Sequence, residues 1–198
     1  MEGVGLIDST IYGRTYDQQQ WENAFGLSYG AAPQDPEVSS YGALYRWYNC
    51  AEPPAADTIE LVYPIPSFFY SILQGVGPDL THENFAEAAF NADPTARGVT
   101  VPSLSWGGPE KGRWDEPDYQ GVDDGTEIWW DPDASGPDET GTEGTGMYRY
   151  VDGGERYLPG EWPEEDPDVF VEEGSVTIYD EPPEAEVAPD YPSPCENG

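Results

Sequence analysis

The stretch GVDDGTEIWWDPD, Gly121 to Asp133, sets clustered carboxylates on both sides of a short apolar run. Ile128 and the Trp129-Trp130 pair combine β-propensity with large apolar area, so the middle reads as a strand that packs. Asp123 and Asp124 before it, and Asp131 and Asp133 after it, place charge at the strand ends, where solvent or a cation would meet it. The pattern is that of a strand running into a loop. The chain around it has to supply a partner for that strand.

Composition narrows what the chain can do. Forty Asp and Glu stand against seven Lys and Arg, for a formal charge of −33, and Lys111 is the sole lysine. A surface of that sign repels phosphate, which excludes nucleic acid and anionic membrane surfaces as expected partners. A length of 198 residues suits one domain, yet only 37% of the residues are hydrophobic, and glycine and proline contribute 23 and 21. A compact core therefore occupies part of the chain only. The most apolar segment, Leu61 to Leu73, is interrupted by two prolines and is shorter than the roughly 20 residues a bilayer needs, so no membrane span is expected. The opening MEGVGLIDST has no basic and no apolar region of the kind a signal peptide carries. Cys50 and Cys195 are too far apart in sequence for a CxxC redox motif or a local zinc site, and their spacing neither requires nor forbids a disulfide.

Two helix-rich units precede a strand-rich one. Val4, Leu6 and Ile7 read as a short initial strand, and Trp21 and Phe25 share one face of a helical stretch. Asp35-Pro36-Glu37 has the order of an N-cap, a first-turn proline and a dipole-complementing acid, ahead of Tyr41, Leu44, Tyr45 and Tyr48 at helical spacing. Ile59 to Gln74 reads as the next helix, and Thr81 caps another through Phe90, with Leu80 and Phe85 placed as a hydrophobic staple. From Gly98 onward strands and turns dominate, and Asp152-Gly153-Gly154 gives a hairpin signal between Met147–Val151 and Arg156–Leu158. Residues 1–162 are read as the folded body. Residues 163–198, Pro-rich and without Lys or Arg, are read as a largely disordered acidic tail.

Asp131, Asp133 and Ser135, followed by Gly136, match the opening of an EF-hand calcium loop, but the closing position holds Thr142 and Glu143 falls one residue late. Calcium is thus a candidate cofactor with an incomplete ligand set. Asp123, Asp124 and Glu127 near Trp106, Trp114, Trp129 and Trp130 invite a glycosidase or a carbohydrate-binding reading, although in so acidic a chain such proximity arises by chance. No GxSxG elbow and no phosphate-binding glycine motif is present, and the one histidine, His82, sits at a helix start without a serine partner. An enzyme is not expected.

The order of elements carries one resemblance. GVGLIDSTIYGRTYDQQQWENAFGLS, the Tyr41–Tyr48 helix, the helix pair ending in GPDLTHENFAEAAF, and TEIWWDPD followed by MYRYVDGG together resemble the C-terminal half of a solute-binding protein of the branched-chain amino-acid-binding, type 1 periplasmic family. The resemblance covers roughly residues 1–160. It implies an α/β fold, one lobe of a type 1 periplasmic-binding-protein-like architecture with a β-rich C-terminal segment. It also implies a non-enzymatic receptor that holds a small, amino-acid-like ligand between two lobes and delivers it to an ABC transporter permease outside the cytoplasm. Material for one lobe is present, so the N-terminal lobe would be missing here. Ligand contacts in such a lobe come from loops at strand ends, which points to Asp8, Thr10 and Tyr12 after the first strand and to Tyr63 near the long helix. The alternative is a carbohydrate-binding or surface interaction module using exposed tryptophans, those at 129 and 130 foremost.

Overall fold

The computed structural model describes residues 8–55, 58–59, 62–163, 168–181 and 190–197. Val4, Leu6 and Ile7, read as an initial strand, lie outside the described residues. The chain is a mixture of helices and a three-stranded antiparallel sheet. Two short helices come first, α1 (Thr10–Gly13) and α2 (Gln18–Trp21), followed by strand β1 (Phe25–Ser28). Three longer helices follow: α3 (Ser40–Asn49), α4 (Pro64–Val76) and α5 (His82–Asn91). Strands β2 (Thr126–Pro137) and β3 (Glu143–Tyr150) complete the sheet, in the order β1-β2-β3.

The expected Ile128–Trp130 strand lies near the start of β2, the central strand of the sheet. It pairs with β1 through Phe25–Trp129 and Gly26–Ile128, and with β3 through Ile128–Tyr150 and Trp130–Tyr148. Alternation along a strand sends successive side chains to opposite faces. One face therefore gathers Ile128, Trp130, Tyr148 and Tyr150 into the buried core with Ala32, and Trp21, Ala24 and Val176 pack against it. Trp130 is wholly buried, its indole N–H donating to the Gln18 side-chain oxygen at 2.9 Å. α2 owes its start to Asp17, whose carboxylate accepts from the Gln19 amide, and so sequence-local capping delivers Gln18 and Trp21 to the core.

The strand does not enter a loop after Asp133. It bends at a bulge between Asp131 and Ser135 and continues to Pro137, turning through residues 138–142 into β3. The Arg14 guanidinium fills that turn, donating to the carbonyls of Gly136, Thr142, Gly144 and Gly146 at 2.7–3.0 Å. The hairpin expected around Asp152-Gly153-Gly154 is absent among the described residues. Asp152 and Gly153 do turn with positive φ, but Tyr150 pairs with Val176 and Tyr157 with Gly125, so the flanking segments go to different partners. Ser39, not Asp35, caps α3, accepting from Gly42 N at 3.0 Å. Asp35 instead makes a turn with the Glu37 amide. Thr81 caps α5 as its sequence suggests, accepting from the Asn84 amide at 3.1 Å. α4 and α5 pack through Phe69 and Phe85, and Phe68 of α4 stacks on Trp106 at 3.8 Å, which ties the helix pair to the strand-rich part.

Residues 168–181 and 190–197, expected from composition to belong to a disordered tail, are both held to the body. Val176 pairs with Tyr150, Tyr179 with Gln34, and Phe170 meets Trp129 and Phe25 edge-on. Cys195 is disulfide-bonded to Cys50 at the end of α3. Short apolar islands gain order here from a preformed sheet and a covalent link, terms that local composition does not display. Among the described residues no helix is long and apolar enough to cross a membrane.

Candidate functional site

A half-open cavity of about 160 Å³ lies where the chain entering α1 meets β1 and β2. Gly26 and Ile128, opposite each other in the sheet, belong to its lining, together with Trp21, Ala24, Tyr148 and one charged group, Asp8. Gly26 is the reason there is space: a Cβ built there meets no heavy atom within 4 Å. Trp21 is fixed by donating its indole N–H to the Tyr148 hydroxyl at 3.2 Å. The Asp8 carboxylate is oriented by the hydroxyl of buried Ser28, which in turn accepts from the Gly30 amide.

Electrostatically this corner is negative. Burial pushes the Tyr148 phenol up to about 12; the Trp21 hydrogen bond works the other way and the Asp8 charge adds to the rise. Tyr150 is pushed up more strongly, by burial first and by Asp8 next. All seven Lys and Arg side chains are paired with other carboxylates, and none pairs with Asp8.

Of the four positions singled out from sequence, Asp8 lines the cavity. Thr10 is buried beside it in sequence, and its amide and that of Ile11 donate to the two oxygens of Glu139 at 2.7 and 3.0 Å. Tyr12 is partly exposed, its carbonyl accepting from Thr15. Tyr63 sits at the start of α4, 4.7 Å from the Tyr41 ring, in a different part of the structure. Trp21, Gly26 and Tyr148 were not singled out; their sequence signal is that of packing, and only the pairing of β1 with β2 brings them to Asp8.

Asp123, Asp124 and Asp131 each have partners within the fold. Asp124 is buried against Arg156, and Asp123 accepts from Ser105 and Trp114 at 3.0 Å each. Burial raises the Asp123 pKa against those donors. Burial also raises Glu127, with Asp152 adding repulsion. Asp131 has one oxygen on Arg149 and the other on the amides of Asp133 and Ala134, while Asp133 and Ser135 are exposed. A guanidinium thus holds the Asp131 carboxylate that the calcium reading assigns to the ion. No group of three or more His, Cys, Asp and Glu arranged for a metal occurs among the described residues.

Trp129 and Trp130 are 5% and 0% exposed, which corrects the reading of this pair as a sugar platform. They are buried because each strand face they occupy is covered, by Phe170 and Arg149 on one side and by the core on the other. A larger groove of about 410 Å³ lies between α4 and α5, but its two amides are engaged, Asn84 donating to the Asp79 carbonyl before α5 and Asn91 to the Glu87 carbonyl within it. Comparison with protein-family models, curated proteins and solved structures finds no match to this chain.

Proposed function

We propose that the chain is a non-enzymatic solute-binding module, one lobe of a receptor of the branched-chain amino-acid-binding, type 1 periplasmic kind. It would bind a small amino-acid-like solute outside the cytoplasm, close over it with a second lobe, and present it to an ABC transporter permease. The observation that carries this reading is the Asp8 cavity, about 160 Å³, with one oriented carboxylate and aromatic walls, open on one side. Mostly apolar walls with a few placed polar groups are what ligand sites have in common. The openness suits a ligand whose second side is covered by another lobe. A disulfide between Cys50 and Cys195 accords with an oxidising compartment.

Backbone amide NMR during titration with each of the proteinogenic amino acids tests the reading. The expected result is weak, saturable binding that perturbs Gly26, Ile128 and Tyr148, because one lobe provides about half of the burial a closed receptor would. No saturable perturbation at those three positions by any amino acid overturns it.

A further inference from the structure

We infer that the cavity beside Asp8 selects an organic cation, with an alkylammonium group seated between the Asp8 carboxylate and the Trp21 and Tyr148 rings. The inference rests on the solute-binding reading and names the chemical class that the same site takes. Three independent features lead to it. Among the described residues the single charged group in the cavity lining is an acid, held in place by Ser28. Every Lys and Arg side chain is paired with another carboxylate, so among the described residues no basic side chain supplies Asp8 with a counter-charge.

The walls add the second contribution. Ring faces attract ammonium groups through their quadrupoles, most strongly when water is excluded. Trp21 is locked on Tyr148 by its hydrogen bond, so both rings are positioned before a ligand arrives. Ile128, Ala24 and the open space over Gly26 leave room for the alkyl part. The third is the whole-chain charge of −33, which raises the local concentration of cations and rejects anions.

The test uses three probes of equal chain length and different charge: n-butylammonium, n-butanol and butyrate. Each is titrated into the full chain while the Trp21 indole N–H and the Ile128 and Gly26 amides are followed by NMR. Butylammonium is expected to bind at least tenfold more tightly than butanol, with butyrate weaker still. Asp8→Asn should bring butylammonium down to the butanol level. Gly26 has no positive φ, so Gly26→Leu should fold while filling the cavity and abolishing the response to every probe. Retention of the butylammonium response in Gly26→Leu would mean diffuse attraction to an acidic surface, and would overturn the inference. Equal binding of butanol and butylammonium at the cavity would also overturn it, while leaving the solute-binding reading intact. If the amino-acid titration perturbs the cavity but Asp8→Asn leaves it unchanged, the cation inference again fails alone.

Discussion

Arg156 donates to one carboxylate oxygen of Asp124 through Nε at 3.1 Å and Nη2 at 2.8 Å, and the two side chains are 1% and 0% exposed. The remaining guanidinium donors go to the carbonyls of Tyr29 and Gly30, and the second Asp124 oxygen accepts from Ser103. The pair thus joins the loop after β1 to the approach to β2. Removing one member leaves a buried charge alone, which typically costs about 3–5 kcal/mol. Arg156→Leu should lower stability by that amount in urea unfolding, whereas the double variant Arg156→Leu with Asp124→Asn should recover part of the loss. A single variant as stable as the parent would show that water reaches the site.

Cys50 and Cys195 are 145 residues apart in sequence, so their bond closes most of the chain. In the chain-entropy account, a loop of that size lowers unfolded-state entropy by about 5 kcal/mol equivalent at 25 °C. Changing both cysteines to serine should therefore lower stability by about 2–5 kcal/mol, the range seen on removing native disulfides. Limited proteolysis gives a second readout. Any cut between the two cysteines should leave fragments that stay together without reductant and separate with it.

Trp130 is enclosed by backbone as much as by side chains. A Cβ at Gly13 would lie 2.3 Å from its ring and one at Gly146 2.4 Å, the latter residue also having φ +91°. Gly146→Ala combines overpacking of a rigid ring with a backbone conformation unfavourable to L-residues, about 2–4 kcal/mol together. Gly153→Ala, with φ +64° and nothing within 4 Å, isolates the backbone part alone at about 1–2 kcal/mol. Comparable losses at the two positions would show that Trp130 yields to the added methyl group.

Where the governing interaction is local, the sequence is readable. Thr81 caps α5 because the cap needs only the Thr81 hydroxyl and the amide three residues on. The apolar run Ile128–Trp130 is a strand because its own residue types favour one. The failures are long-range. Asp152-Gly153 turns as its composition suggests, but what the arms pair with is settled by Val176 and Gly125, far along the chain. Asp131 is met by Arg149 from the facing strand, a contact that the sequence around Asp131-Pro-Asp133 does not display. At the candidate site, the strand expected before Asp8 lies outside the described residues, and Trp21, Gly26 and Tyr148 become neighbours only through sheet register.

Asp131 separates the calcium reading from the ion-pair arrangement. Burial alone would raise its pKa, but the Arg149 hydrogen bond and the Asp133 and Ala134 amides outweigh that and hold the carboxyl below its ordinary value of 3.8. A carboxyl depressed in the folded state contributes stability above its unfolded pKa and loses it as pH falls through the folded one. The stability gap between the parent and Asp131→Asn should therefore be full at pH 5 and above, and should narrow below about pH 4, toward the unfolded carboxyl value. A calcium loop makes a different forecast at neutral pH: added calcium would raise the melting temperature of the parent but not of Asp131→Asn. With Arg149 in contact with that carboxylate, melting curves of both proteins should be unmoved by calcium at constant ionic strength. A calcium-dependent rise confined to the parent would displace Arg149 from this role and restore the metal at Asp131 and Asp133.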